Sequence, residues 1–294
     1  MFGLIVVGSI VRTTGSGLAC PDWPLCEGRL IPRLDPHVLI EWLHRLLALL
    51  VSLLLAATAL WVLGHRETRA RLGGLVALAL GLLVVQVLLG ALTVWKLLSP
   101  AVVSSHLAVA LLLFSTLLVI ALAAGDEAEA GPERLQHQRT PRPPGLLPLF
   151  ALTTLLLYGQ AVLGGVVSTS GASLACPDWP TCRGEWLPPL DGLVGIQMAH
   201  RIGAYLLIAM LAVLIVRARN AADPLVARVG GALLGLAVGQ MAIGVVNIVV
   251  GIHAWLSALH LANAAGMLAL CVAATYHVAA SPAPARAAVL EATS

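Results

Sequence analysis

The sequence predicts an all-α integral membrane protein made of two tandem four-helix transmembrane bundles related by a pseudo-twofold repeat. Three observations carry that prediction. Mean hydropathy is +0.94, with 59% apolar and only 11% charged residues, a balance that describes a chain solvated by lipid. Seven apolar stretches are long enough to cross about 30 Å of hydrocarbon. The chain also repeats itself. Cys20-Pro-Asp-Trp-Pro-Leu-Cys26 returns as Cys176-Pro-Asp-Trp-Pro-Thr-Cys182, and His44-Arg45 returns as His200-Arg201, both displaced by 156 residues. Gln86, Gly90 and His106 return as Gln240, Gly244 and His260, displaced by 154. A repeat of that length in fixed register marks a duplicated structural unit.

The elements follow in order. The first apolar stretch, Met1 to Val11, gives 11 residues before Arg12, about half of what a crossing needs. Its counterpart in the second unit begins near residue 146 and ends at Val167. The expectation is therefore a first span truncated by about ten residues ahead of Met1, and eight spans in the natural protein. A signal peptide fits poorly, because no basic segment precedes the stretch and no small-residue cleavage site follows it. The seven full spans are expected over 38–63, 73–95, 101–124, 146–167, 193–216, 225–250 and 254–280. Each unit then reads helix, Cys loop, helix, tight inner loop, helix, short outer turn, helix. An even number of spans leaves both units in one orientation, related by an axis along the membrane normal. The units are expected over 1–124 and 146–280. A polar linker over 125–145 carries Asp126, Glu127, Glu129, Glu133 and four prolines and reads as a solvated tether. The tail, 281–294, is expected to be disordered.

Basic residues set the orientation. Arg66, Arg69 and Arg71 fall in one short loop, Arg134, Arg139 and Arg142 in the linker, Arg217, Arg219 and Arg228 in another loop, and Arg286 in the tail. These mark the cytoplasmic side, so both termini are inside and both Cys loops outside. The net charge of +3 reflects that asymmetry and gives no sign of a nucleic-acid partner; membrane lipid is the expected surrounding. Two cysteines with five residues between them, prolines included, on an oxidising face, predict disulfides Cys20–Cys26 and Cys176–Cys182. A zinc site is the weaker alternative, since it asks for four ligands as thiolates. Cys271 lies mid-span and reads as a small buried apolar residue.

Of nine histidines, His65, His137 and His277 fall at the cytoplasmic ends and His37 and His253 on the outer side, where solvation explains them. His44, His106, His200 and His260 fall inside spans, where ionisable groups are costly and usually functional. Each lies five to six residues from the outer end, roughly 8–9 Å deep at helical rise. Parallel helices holding two imidazoles at one level suit the axial ligation of a haem iron. Glu41 stands one helical turn from His44 on the same face, and its repeat counterpart is Gln197. Either the first unit alone performs proton chemistry, or Glu41 pairs with Arg45 or Arg201. A di-iron bundle is rejected, because it needs a second Glu-x-x-His and two further carboxylates. Arg45 and Arg201 follow their histidines directly; they either snorkel to the outer surface or bind haem propionates. Gln86 and Gln240, with Gly90 and Gly244 one turn on, read as close helix packing with one polar contact.

Arg12-Thr-Thr-Gly-Ser-Gly-Leu-Ala-Cys-Pro-Asp-Trp-Pro-Leu-Cys26, then Glu41-Trp-Leu-His-Arg45, with the duplicated histidines, resembles the heme A synthase family over nearly the whole chain. The resemblance implies a bacterial cell-membrane oxidoreductase that converts the C8 methyl of heme O to the formyl group of heme A for terminal cytochrome oxidases. It implies heme O as substrate between His44 and His106 in the first unit. It implies a resident heme b between His200 and His260 in the second, so that all four histidines would ligate iron. Glu41 matches the family's functional carboxylate, and heme O synthase and cytochrome oxidase assembly factors are the implied partners. The rival reading is a di-haem b-type electron carrier without a substrate haem; the Glu41/Gln197 difference and the Cys loops argue against it. A repeat-built transporter would want broken helices with polar sites at the midplane, whereas the polar groups here lie high in the outer leaflet.

Overall fold

The computed structural model describes residues 1–129, 145–220 and 224–281. Among them eight α-helices run in order: α1 (Phe2–Thr13), α2 (Pro36–Gly64), α3 (Arg66–Trp95), α4 (Pro100–Glu129), α5 (Leu146–Thr169), α6 (Gly192–Arg219), α7 (Pro224–Val249) and α8 (Ala254–Ala280). A short 3-10 turn, Ala172–Leu174, follows α5. The protein is an all-α integral membrane protein. Helices α2 to α8 are each long and apolar enough to cross a membrane, and α1 is a shorter apolar helix of 12 residues.

Local chemistry sets the helix ends. Asp35 starts α2 by accepting from the amides of His37 and Val38 at 3.0 and 3.2 Å, with Pro36 at the first helical position, where its missing amide proton is not needed. At the α7–α8 turn Asn247 accepts from the amide of His253 at 2.8 Å and donates to the Ser257 hydroxyl at 3.0 Å. The helices outrun the apolar stretches at the ends away from the Cys loops. Only His65 separates α2 from α3, so Arg66, Arg69 and Arg71 lie in the first turns of α3, where the sequence placed a loop. Arg217 and Arg219 close α6, and Arg228 lies in α7. Long basic side chains reach the interface from within a helix, so a charge does not end one. The α4 helix likewise continues past Ala124 to Glu129, taking in the start of the expected linker. Residues 130–144 of that linker and 282–294 of the expected tail lie outside the described residues.

Packing closes two rings. In the first, α2 and α4 each pack on both α1 and α3; in the second, α6 and α8 each pack on both α5 and α7. The rings meet through α1 with α8, α4 with α5, and α4 with α8. Exchanging the two units swaps the first two of these pairs and leaves the third unchanged, as a twofold axis beside α4 and α8 requires. On α2, Leu43, Leu46, Leu50, Leu53 and Leu54 are exposed at helical spacing, while Val38, Glu41, Leu55, Ala59 and Val62 are buried on the opposite face. The first set faces lipid and the second faces the ring interior. One buried core runs through both units, with Leu111, Phe150, Leu211, Leu233 and Leu268 among its members; a second lies between α2, α3 and α4 around Leu55, Val76 and Leu113. In α2, α3 and α4 this second core lies toward the ends away from the Cys loops. The ends beneath the Cys loops are left for the polar residues.

Candidate functional site

The four intramembrane histidines lie on α2, α4, α6 and α8, the diagonal members of the two rings. Helices so placed face one another across a ring interior. Each imidazole rests against a glycine of a neighbouring helix. A Cβ built on Gly8 of α1 would lie 3.1 Å from Cε1 of His44, and one on Gly90 of α3 would lie 3.3 Å from Cε1 of His106. In the second unit, Gly164 of α5 stands at 2.9 Å from His200 by the same measure, and Gly244 of α7 at 3.1 Å from His260. Glycine is what lets a flat ring lie this close to a neighbouring backbone. The two glycines of each unit match at the repeat offsets of 156 and 154.

Three of these glycines are preceded, one turn earlier, by a glutamine. The amide of Gln86 reaches Nε2 of His106 at 3.2 Å. Gln160 places its amide nitrogen 3.0 Å from Nδ1 of His200 and donates to the His200 carbonyl at 2.7 Å. Gln240 donates to the His260 carbonyl at 2.9 Å and accepts from Asn263 at 2.8 Å. The sequence reading assigned Gln86 and Gln240 to packing and passed over Gln160, Gly8 and Gly164. The shared Gln-x-x-x-Gly spacing at 86–90, 160–164 and 240–244 was the available signal.

The two Cys loops form lids over α2 and α6. Both disulfides are present, Cys20–Cys26 and Cys176–Cys182, and all four cysteines are buried. Inside each loop an aspartate gathers backbone amides. Asp22 accepts from Glu27 at 2.6 Å and Gly28 at 2.8 Å, and Asp178 accepts from Arg183 at 2.6 Å, Gly184 at 2.9 Å and the Thr181 hydroxyl at 2.5 Å. These bonds favour the charged form. The Gly28 amide chiefly holds the Asp22 carboxyl below its ordinary range, and the Thr181 hydroxyl does so for Asp178.

Arg45 and Arg201 tie loop to helix. Arg45 donates to the carbonyls of Asp22 at 2.6 Å, Leu25 at 2.5 Å and Cys20 at 3.0 Å, and to Glu41 at 2.5 Å. Arg201 donates to the carbonyls of Thr181 at 2.8 Å and Cys176 at 2.7 Å, while its Nε has no partner. Both guanidinium groups are thus largely engaged with the loops. Glu41 is 4% exposed; one oxygen takes Arg45 and the other accepts from the Cys20 amide at 2.8 Å. Gln197 is equally buried, but its Oε1 has no partner. The two motifs therefore differ in wiring as well as in charge.

A cavity of about 1010 Å³, predominantly apolar, opens beneath the loops and reaches all four histidines, Glu41 and Gln197. Both imidazoles of each unit, His44 with His106 and His200 with His260, line this one cavity. Nδ1 of His44, His106 and His260 is buried without a hydrogen-bond partner, an expensive state for polar atoms serving packing alone. Among the described residues no group of three or more His, Cys, Asp or Glu is placed to hold a metal ion. Paired imidazoles across an apolar cavity, each over a glycine, fit a planar macrocycle whose own nitrogens supply the other iron ligands.

The sequence profile of the COX15-CtaA family, described as "Cytochrome oxidase assembly protein", matches residues 1–272. A protein of Symbiobacterium thermophilum named heme A synthase is 34% identical over 208 residues, 70% of this chain and 68% of that one. One of Geobacillus thermodenitrificans with the same name is 34% identical over 227 residues, 74% and 68% of the two chains. A third so named, from Shewanella oneidensis, is 28% identical over 93% of this chain and 92% of its own. With a profile match over nearly its whole length and relatives at this identity, the chain belongs to the COX15-CtaA family of cytochrome oxidase assembly proteins.

Proposed function

We propose that this protein is a heme A synthase, an oxidoreductase that converts the C8 methyl of heme O to the formyl group of heme A. The observation that carries the reading is a near-symmetric pair of histidine sites of which only one has a buried carboxylate, Glu41, a helical turn away. Relatives named heme A synthase at 28–34% identity support it. They disfavour a di-haem carrier, which has no use for a chemical difference between its halves.

In this account the first unit, 1–124, holds the substrate haem between His44 and His106. The second, 146–280, holds a resident heme b between His200 and His260, which when bound supplies an electron-transfer centre. Balanced against water, methyl-to-formyl conversion brings in one oxygen atom and releases four protons and four electrons, in two two-electron steps through a hydroxymethyl stage; the electrons must pass to an oxidant from outside the chain. Glu41 lines the cavity and is the buried carboxylate placed to take those protons. Arg45 holds Glu41 in place through one carboxylate oxygen, and the Cys20 amide fixes the other. Arg45 and Arg201 act by anchoring the loops over the cavity; a propionate contact would come in addition to the loop carbonyls they already serve. The apolar walls exclude bulk water from the macrocycle. Both Cys loops face outward and both termini face the cytoplasm of a bacterial cell. Heme O synthase and oxidase assembly factors are the natural donors and recipients of the haem.

Spectroscopy of purified variants tests the ligand assignment. His200→Ala or His260→Ala should remove the low-spin b-type haem, since either change breaks an axial pair. An unchanged low-spin spectrum in both overturns it.

A further inference from the structure

The two units differ at a second pair of positions that touch the same histidine in the repeat. In the second unit Gln160 lies against Nδ1 and the carbonyl of His200. There is room for its amide only because residue 203, on the facing helix, is glycine: a Cβ there would collide with the Gln160 carboxamide oxygen. Subtracting the offset of 156 gives the first-unit counterparts, Leu4 for Gln160 and Leu47 for Gly203. Both halves of the device are replaced together. His44 keeps its glycine, Gly8, but has no amide beside it, and its Nδ1 is without a partner.

We infer that the Gln160–Gly203 pair locks His200 as a permanent axial ligand, and that Leu4 and Leu47 leave His44 free to release its haem, so that this pair decides which half keeps a haem and which exchanges one. The inference rests on the haem reading proposed above. Its physical basis is the partner on the second ring nitrogen. A metal-bound imidazole is oriented and made more basic by a hydrogen bond at the nitrogen not bound to metal, and losing that bond typically costs about 10–100-fold in metal affinity. With Nε2 given to iron, His200 carries its proton on Nδ1. To meet that proton the Gln160 carboxamide must turn its oxygen, the acceptor end, toward Nδ1, giving up the bond that its nitrogen donates to the His200 carbonyl in this structure. Leucine at position 4 offers neither. An enzyme with one resident and one transient haem needs one fast and one slow site, and the sequence supplies that difference at Gln160/Gly203 against Leu4/Leu47. Gln160 is a positioning residue, acting through His200.

The test is haem release from the purified full-length protein to an excess of apomyoglobin, followed by absorbance, with the low-spin signature recorded in parallel. Wild type should show a fast and a slow phase. Gln160→Leu should accelerate the slow phase about 10–100-fold, Gln160→Glu should restore slow release by accepting the Nδ1 proton, and Leu4→Gln with Leu47→Gly should slow the fast phase. Slow release in Gln160→Leu within twofold of wild type overturns the inference, as does a fast phase unmoved in the Leu4→Gln/Leu47→Gly protein. A His200→Ala control separates the two layers: if it keeps the slow phase, the haem reading fails and the inference with it. If the control loses that phase while Gln160→Leu does not change it, the inference alone fails.

Discussion

Glu41 and Gln197 are near-isosteric side chains at equivalent depths, yet the structure uses them differently. Glu41 accepts from Arg45 and from the Cys20 amide, whereas Gln197 leaves its oxygen unpartnered. A glutamine at position 41 keeps an acceptor for Cys20 but turns a donor toward Arg45. Arg45 retains three loop carbonyls, so the cost is that of one poorly met donor, about 1–3 kcal/mol. Glu41→Gln should therefore fold and keep its haem. It should lower heme A formation by ~10²-fold or more, because an amide cannot accept the proton. Haem content and product measured on the same preparation check this, and joint loss of fold and haem would instead mark Glu41 as a partner for Arg45 alone. The sequence made Glu41 legible through its odd pairing with Gln197. It could not reveal the Cys20 amide as a ligand, because that contact depends on how the disulfide loop folds back over α2.

At the level of elements, the histidine–glycine contacts make a sharp prediction. Gly164→Ala would place a methyl 2.9 Å from the His200 ring, so the ring or the helix must shift, at a cost of about 1–3 kcal/mol. Low-spin haem content should fall. Gly159→Ala, on the same helix with nothing within 4 Å of its added carbon, should leave haem unchanged and favour the helix by roughly 0.5–1 kcal/mol. Equal effects from the two would show that helix propensity, not contact with the ligand, is being measured. The loops make a prediction in pH. Asp22 and Asp178 have carboxyls held below the ordinary aspartate value of about 3.9. Their contribution is thus full above that value and is lost as pH falls through the depressed folded values. Amide exchange at Gly28 and Gly184 should stay slow from neutral pH down to about 4, by that ordinary aspartate value, and quicken only in stronger acid. Quickening near pH 6 would contradict the aspartate caps. Helix existence was legible from apolar length alone, and α8 has the expected bounds. Helix ends on the side away from the Cys loops were not, because Arg66 to Arg71 read as a loop by charge, and snorkelling lets a helix carry those charges.

For the whole molecule, the repeat was the strongest signal in the sequence, and the packing follows it: two rings, histidines on the diagonals, and an interface of α1 with α8 and α4 with α5 about the α4–α8 contact. What the repeat concealed was Gln160, since its counterpart Leu4 breaks the match and periodicity arguments look for what recurs. The continuous buried core across both units was equally hidden, because apolar residues facing lipid and apolar residues facing a neighbouring ring have the same composition. The central claim, that an almost symmetric membrane scaffold oxidises haem in one half only, is tested most directly by extracting and identifying haem from cells that supply heme O and express this chain. The account predicts heme A from the wild-type protein, none above background from Glu41→Gln, and heme b retained in both. Heme O and heme b without heme A from a well-folded wild-type protein would contradict it.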